Sequence, residues 1–402
     1  MKLARRAVIG GALALPAMRR AGAADPEPLP IGALFPFSGT LALFGDESFR
    51  GLELATDEQN GAGGLFGRPL KLIKGDAVDA NAALSEVHRL LGPERAAAVF
   101  GTFASPLTLA ASPVAELAGA PYFELGAIAD AVTDRGFHTL YRACPTSAAF
   151  ATLSVDLIAD VLAPRWNIKP AALRVALLHE DGLYGTTVAT LQQARCQERG
   201  LNVTDNLAYS ATTNDLGSAV QRLRGAEATV VLHAGYQNDV LLFYRTMKQA
   251  GWLPRMVIGA GGGYALADTA NTIGADFDGT INVGFPPYAI NHAVAPGLAD
   301  LEAAYERRYG GKPRSGHSLA AYVGGRLFLE MLARAGGFDK EKVQEAIRTT
   351  DIDPNRMSNS WGAKFDAKGQ NARAFPVIAQ WLGGTLRTVA PAECAVAELR
   401  PN

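Results

Sequence analysis

The residues of this chain best suited to holding a ligand are Ser105 and the peptide groups around it. Gly101-Thr102-Phe103-Ala104-Ser105-Pro106 follows an apolar run at 97–100 and opens a stretch, 107–117, with helical spacing. The first N–H groups of such a helix have no intrahelical partner, so they and the Ser105 hydroxyl can hold an anion. A plain helix cap by Thr102 or Ser105 would use the same physics. Other chemistry is harder to build. His179-Glu180-Asp181 sets one histidine beside two acids at the end of an apolar run, which reads as loop polarity rather than an acid–base centre. In Gly259-Ala260-Gly261-Gly262-Gly263-Tyr264, Tyr264 stands where the last glycine of a dinucleotide fingerprint belongs, and no acid is placed for a ribose. P-loop, nucleophile-elbow and HExxH patterns do not occur. Cys144, Cys196 and Cys394 are too few and scattered for a metal site or a disulfide framework, and their odd number leaves at least one free thiol. No catalytic residue, metal or cofactor is expected.

The elements that must position Ser105 are read from periodicity. Residues 31–35 are a short apolar run closed by Pro36, and Ser38-Gly39-Thr40 is turn chemistry. A helix follows, with Phe49, Leu52, Glu53 and Thr56 at three- and four-residue spacings after Asp46 and Glu47, acids that suit a helix N-terminus. Asn60-Gly61-Ala62-Gly63-Gly64 ends it, because Gly and Asn tolerate the left-handed conformation of a helix stop, and 68–73 is the next strand. In such a unit a ligand meets the loop at the carboxyl end of the first strand, here 35–44. The alternation continues with helix 82–91, strand 97–100, helix 107–117 and strand 121–123. A second series runs from a long helix at 148–162 through strands 174–178, 207–209, 229–232 and 256–258 with helices between them. The pattern predicts two similar α/β halves, each a parallel sheet covered on both faces. No sequence repeat relates them.

A chain of 402 residues exceeds what one hydrophobic core holds, and 48% apolar residues suffice to bury two. Residues 1–23 read as an export signal: Lys2, Arg5 and Arg6 precede an apolar run at 7–18, and Ala21-Gly22-Ala23 offers small residues for cleavage. The run is too short to span a bilayer. Arg5-Arg6 and Arg19-Arg20 lean toward the twin-arginine route. The net charge of −1 becomes near −6 once this segment, with five basic residues and no acid, is removed. A mildly acidic surface without basic patches argues against nucleic acid and anionic membranes as partners.

The chain resembles the periplasmic leucine/isoleucine/valine-binding proteins, the solute receptors of ABC importers, and the resemblance extends to about Trp381. It rests on the strand before Ser38-Gly39, the Phe44-Gly45-Asp46 turn, the helix with Gly51, Asn60 with Gly63-Gly64, and Asp76 with Asp79. It implies a type I periplasmic binding protein: two Rossmann-like α/β lobes with parallel sheets, joined by a hinge that crosses three times. Lobe 1 would comprise 29–142 and 286–364, and lobe 2 143–284 and 365–390, leaving 391–402 as a tail. The crossings would fall near 141–145, 281–285 and within 365–375, and helices at Leu298–Tyr309, 319–335 and 340–349 would lie in the returning segment. It further implies a periplasmic monomer that binds a small solute between the lobes and presents it to an importer's membrane subunits. The same fold also serves amide-responsive regulators and receptor domains, and a branched-chain amino acid binder proper is a further alternative.

The resemblance also names site residues. Ser105 with the adjoining peptide group of Ala104 matches the hold on the ligand's carboxylate, and Gly126 and Ala127 belong to the facing loop Glu124-Leu125-Gly126-Ala127. Tyr184 and Tyr236 sit where the family closes rings over its ligand from the second lobe, and Phe44 does so from the first. Two departures stand out. Gly261 occupies the position of the acid that pairs with a ligand ammonium, and Ala127 aligns with an assisting threonine. A buried ammonium without a counter-charge is costly, so a ligand without an amine is expected unless Glu124 serves from a shifted position. Removal of a side chain at Gly261 is expected to enlarge the pocket. The family's early disulfide would fall at Val78 and Ala104 and is absent.

Overall fold

The computed structural model describes residues 26–401. The export signal expected at 1–23 lies outside the described residues. From Leu29 the chain lays down β1 (Leu29–Phe35), α1 (Ala42–Gly61), β2 (Leu70–Asp76), α2 (Ala80–Leu91), β3 (Val99–Gly101), α3 (Ser105–Ala118), β4 (Tyr122–Glu124) and β5 (Leu140–Arg142). The strands form one parallel sheet in the order β2-β1-β3-β4-β5. Every residue of β3, β4 and β5 is buried, the pattern of strands covered on both faces.

The second half begins with α4 (Ser147–Asp156), which runs through a π-helical turn (Leu157–Leu162) into α5 (Ala163–Arg165). There follow β6 (Arg174–Glu180), α6 (Leu183–Glu198), β7 (Asn202–Tyr209), α7 (Gly217–Gly225), β8 (Val230–Ala234), α8 (Gln237–Gln249), β9 (Met256–Gly259), α9 (Ala267–Ile273) and β10 (Ile281–Gly284). The chain then returns to the first sheet with α10 (Leu298–Tyr309), α11 (Gly316–Ala335) and α12 (Lys340–Arg348), whose Leu327, Phe328, Leu332 and Val343 join the core of β1, β3 and β4. After a small two-stranded piece, β11 (Asp351–Ile352) with β12 (Ala363–Lys364), it rejoins the second sheet as β13 (Val377–Leu382) and β14 (Thr385–Ala390).

That sheet has the order β14-β13-β10-β9-β8-β6-β7 and is mixed, not all-parallel as expected. β13 runs antiparallel to β10 and β14 antiparallel to β13. The β13–β14 reversal is made by a two-residue turn at Gly383-Gly384, both with positive φ, which turns the chain in place where a parallel neighbour would need a crossover.

A second correction concerns α1, which starts at Ala42, so Asp46 and Glu47 lie beyond its first residues. Glu47 is wholly buried. Its carboxylate accepts from the hydroxyls of Tyr305 at 2.6 Å and Ser318 at 2.5 Å and from the N–H of Arg314 at 3.0 Å, tying α1 to α10 and α11. The helix ends at Gly61, with Gly63 and Gly64 at positive φ, as its sequence predicts.

Among the described residues one helical stretch, Ser147–Arg165, is long and apolar enough to cross a membrane by length and composition. Its Phe150, Val155, Ile158 and Leu162 are buried against α6 and the second sheet, which is how a core helix behaves. Residues beyond 390 do not dangle: the Arg400 N–H reaches Gln380 Oε1 at 2.9 Å, and Asn291 donates to the Cys394 carbonyl at 3.0 Å. All three cysteines are free and buried.

Candidate ligand-binding cleft

Loops at the carboxyl ends of β3, β4, β6, β8 and β9 converge between the two sheets on a narrow cleft. Its walls are Phe103, Ser105, Gly126 and Ile128 from the first lobe and Phe150, Tyr184, Tyr236, Ala260, Gly261 and Gly262 from the second. Ala265, Phe285 and His317 complete it. None of these side chains carries a formal charge at neutral pH. Burial holds the His317 imidazole at a pKa of about 3, so it is neutral.

Ser105 is the first residue of α3, with Ala104 as N-cap and no side chain capping the helix. Neither Thr102 nor Ser105 therefore serves as a cap. Thr102 is committed elsewhere, its hydroxyl lying 2.7 Å from that of Thr108. Ser105 Oγ accepts the N–H of Ala129 at 3.1 Å, which leaves its own proton to donate. Ile128, next to Ala129, has a backbone N–H without a partner among the described residues. Pro106 has no N–H and Leu107 and Thr108 donate theirs to the Ala104 carbonyl at 3.1 Å, so the Ser105 hydroxyl and N–H with the Ile128 N–H make the place for a ligand's acceptor atoms.

Glu124 does not serve as a shifted counter-charge. It is wholly buried behind the wall, and its carboxylate accepts N–H groups from its own loops: Thr102 at 2.7 Å, Gly126 and Ala127 at 2.8 Å and Leu125 at 3.0 Å. The Phe103 N–H at 3.2 Å and the Thr108 hydroxyl complete the set. Ala104 and Ala127 likewise stand behind the lining, with the Ala127 N–H taken by Glu124. Ile128, one residue on from Ala127, reaches the cleft instead.

On the opposite wall Tyr184 follows a turn in which Glu180 accepts the N–H groups of Gly182 at 2.5 Å and Gly185 at 2.6 Å. The Tyr184 hydroxyl donates to the Ala260 carbonyl at 2.6 Å, which fixes its ring. Tyr236 is the N-cap residue of α8, and its N–H is held by Asp239 at 2.8 Å. The two rings are tilted at 5.2 Å. Tyr236 also meets first-lobe rings edge-on, Phe44 at 6.2 Å and Phe103 at 6.4 Å. Phe44 does not line the cleft; it stacks at 4.9 Å on Phe103, which does.

Gly261 has φ +75°, and a Cβ there would lie 3.2 Å from the Phe150 ring. The room expected at the lost acid is thus filled by an aromatic side chain. Phe103, Ile128, Phe150, Phe285 and His317 were not foreseen as lining residues. Phe103 and Phe285 follow strands directly and carried a readable signal, whereas Phe150 and His317 sit within helices and carried none.

Residues 28–384 match the family described as periplasmic binding protein. The chain belongs to that family. It is 43% identical over 390 residues to the Leu/Ile/Val-binding protein homolog 7 of Brucella suis biovar 1, covering 97% of this chain and 98% of the relative. Homolog 8 of the same organism is 41% identical over 396 residues, 98% of each. Among solved structures, a leucine-binding protein from Thermotoga maritima superposes with a TM-score of 0.78 at 20% identity, over 90% of this chain and 98% of that one. A solute-binding protein from R. palustris in complex with benzoate gives 0.76 at 19%, over 92% and 98%. At such identities the structures speak for the two-lobed α/β fold alone. The family and these relatives make it a periplasmic solute-binding protein of the Leu/Ile/Val-binding kind, which binds without catalysis.

Proposed function

We propose that the cleft binds a small hydrophobic or aromatic monocarboxylate, or a similarly shaped molecule with one polar end, and that the lobes close over it for an importer's membrane subunits to recognise. The observation that carries this reading is the absence of any acid among the lining residues, with Gly261 and Phe150 standing where an ammonium would need a carboxylate. A desolvated ammonium left unpaired costs several kcal/mol. The polar end of the ligand goes to Ser105 and Ile128, and its body packs among Phe103, Phe150, Tyr184, Tyr236 and Phe285. That a protein of the same fold holds benzoate supports an acid without an amine as a ligand this architecture accepts. The lobes in this reading are 29–142 with 286–364 and 143–284 with 365–390, and the protein acts as a monomer.

Differential scanning fluorimetry tests it, since a ligand at a hundred times its dissociation constant stabilises the fold by about 2.7 kcal/mol. Benzoate, phenylacetate and branched aliphatic acids are expected to raise the melting temperature where leucine, isoleucine and valine do not. The reverse ranking would overturn the reading.

A further inference from the structure

Glu124 and Arg142 are neighbours in register on β4 and β5, both wholly buried, and they form no direct ion pair. The loop that leads to Ile128 lies between them in a polar sense. Its N–H groups at Leu125, Gly126 and Ala127 all point to Glu124. Its carbonyls at Ala127 and Ala129 accept from Arg142 Nη1 at 3.0 and 2.6 Å. The N–H donors can only donate, so the Glu124 oxygens act as acceptors, and these bonds oppose the burial that pushes its carboxyl pKa up. Arg142 makes no hydrogen bond to a carboxylate, although the charges of Asp130 and Glu124 both act on it, and its Nε donates to Gln370 Oε1 at 2.5 Å. Gln370 in turn donates to the Cys144 carbonyl at 2.9 Å, and its neighbour Asn371 to the Ala143 carbonyl at 3.2 Å, joining two of the segments that pass between the sheets.

We propose that Glu124 and Arg142 are a loop-mediated charge pair that positions the ligand-contacting edge, Ser105 and Ile128, and couples it through Gln370 to the interlobe segments. The acid gathers the β3 and β4 loops, and the base fixes the carbonyls on either side of Ile128. Neither residue lines the cleft, so both act through the loop. This rests on the cleft being the binding site.

Hydrogen exchange and benzoate titration of the full chain test the proposal together. In Glu124→Gln the amides of Thr102, Leu125, Gly126 and Ala127 should exchange roughly tenfold or more faster, the size of a lost buried hydrogen bond, while amides of β6 and β8 keep their protection. Glu124→Gln and Arg142→Gln should each weaken benzoate binding by roughly tenfold or more. Because each single variant strands one buried charge, the double variant should bind and melt no worse than the poorer single one. Additive losses in the double variant, or unchanged exchange at these amides, overturn the proposal. If Glu124→Gln does not fold, Thr108→Val, which removes one donor to the carboxylate, should speed exchange at Thr102 and Phe103, and unchanged exchange there is equally decisive. If benzoate and the other acids fail on the wild-type protein, the ligand reading fails, while the exchange data still decide whether the clamp exists.

Discussion

Ser105 is where a short side chain decides the most. Its oxygen already accepts from Ala129 and its own proton remains to be donated, and Ser105→Ala removes that donor from the cleft. Binding of a carboxylate probe should weaken by about 1–3 kcal/mol in isothermal titration, with the melting point of the ligand-free protein changed little, and normal binding would remove Ser105 from the site. Ser105 was legible in the sequence because a strand, a glycine-led loop and a helix start are local features. His317 was not, since its place depends on α11 reaching across the first lobe to set the imidazole against Phe44 and Phe103. The glycine at 261 was legible as a lost acid, yet its consequence was not, because Phe150 comes from a distant helix. A second residue-scale consequence lies behind the wall. His233 is buried between the Tyr209 hydroxyl at 2.8 Å and that of Tyr264 at 2.6 Å, and burial holds its pKa at about 3. An unfolded imidazole takes up a proton below about pH 6.5, the native one only near 3, so acidification through that window costs stability at up to about 1.4 kcal/mol per pH unit. Asp239, raised to about 6 by burial, works in the opposite sense between pH 4 and 6, losing stability as pH rises. Comparing urea unfolding of His233→Gln with wild type cancels such background terms, and the variant's stability should fall less steeply by about one proton between pH 6 and 4. Equal slopes would mean that native His233 carries a proton.

At the scale of elements, α1 against α11 is the contact that holds the returning segment to the first sheet. Its closeness is set by Gly51, where a Cβ would lie 2.0 Å from the Ser318 carbonyl oxygen and 2.9 Å from the Tyr322 nitrogen. Helix propensity alone says that Gly51→Ala should stabilise by about 1 kcal/mol. The packing says the opposite, because backbone atoms of α11 must retreat, and overpacking of this kind costs about 1–3 kcal/mol. A melting temperature below that of wild type is therefore expected, and an increase would show that the two helices have slack. Glu47 makes the same point about legibility. Read from the sequence it suits a helix start; in the fold it lies deeper in α1 and binds Tyr305, Arg314 and Ser318. Those partners are far away in the chain, so no local pattern announces them. The alternation of helices and strands, by contrast, was legible as far as β9 apart from β5, whereas α9, β10, β13 and β14 were not, because β10 and β13 lie at the crossings between the sheets and β14 follows only from the Gly383-Gly384 turn.

The whole molecule stands with its lobes in contact at the cleft mouth. Tyr236 of the second sheet's loops packs against Phe44 and Phe103 of the first, and Leu183 joins the first lobe's core from α6. These are contacts between protein side chains alone, and they favour the arrangement in which the two sheets' loops meet. Aromatic pairs of this geometry contribute about 0.5–1.5 kcal/mol beyond the area they bury. Removing the second-lobe partner by Tyr236→Ala should shift an open–closed equilibrium toward the open form by roughly threefold to tenfold. Small-angle scattering of the ligand-free proteins reads this directly: the variant should have the larger radius of gyration, and saturation with a bound acid should bring both to similar dimensions. If wild type and Tyr236→Ala scatter identically both free and loaded, the rings at the seam do not govern closure, and the lobes are held by the interlobe segments around Gln370 and Asn371 instead.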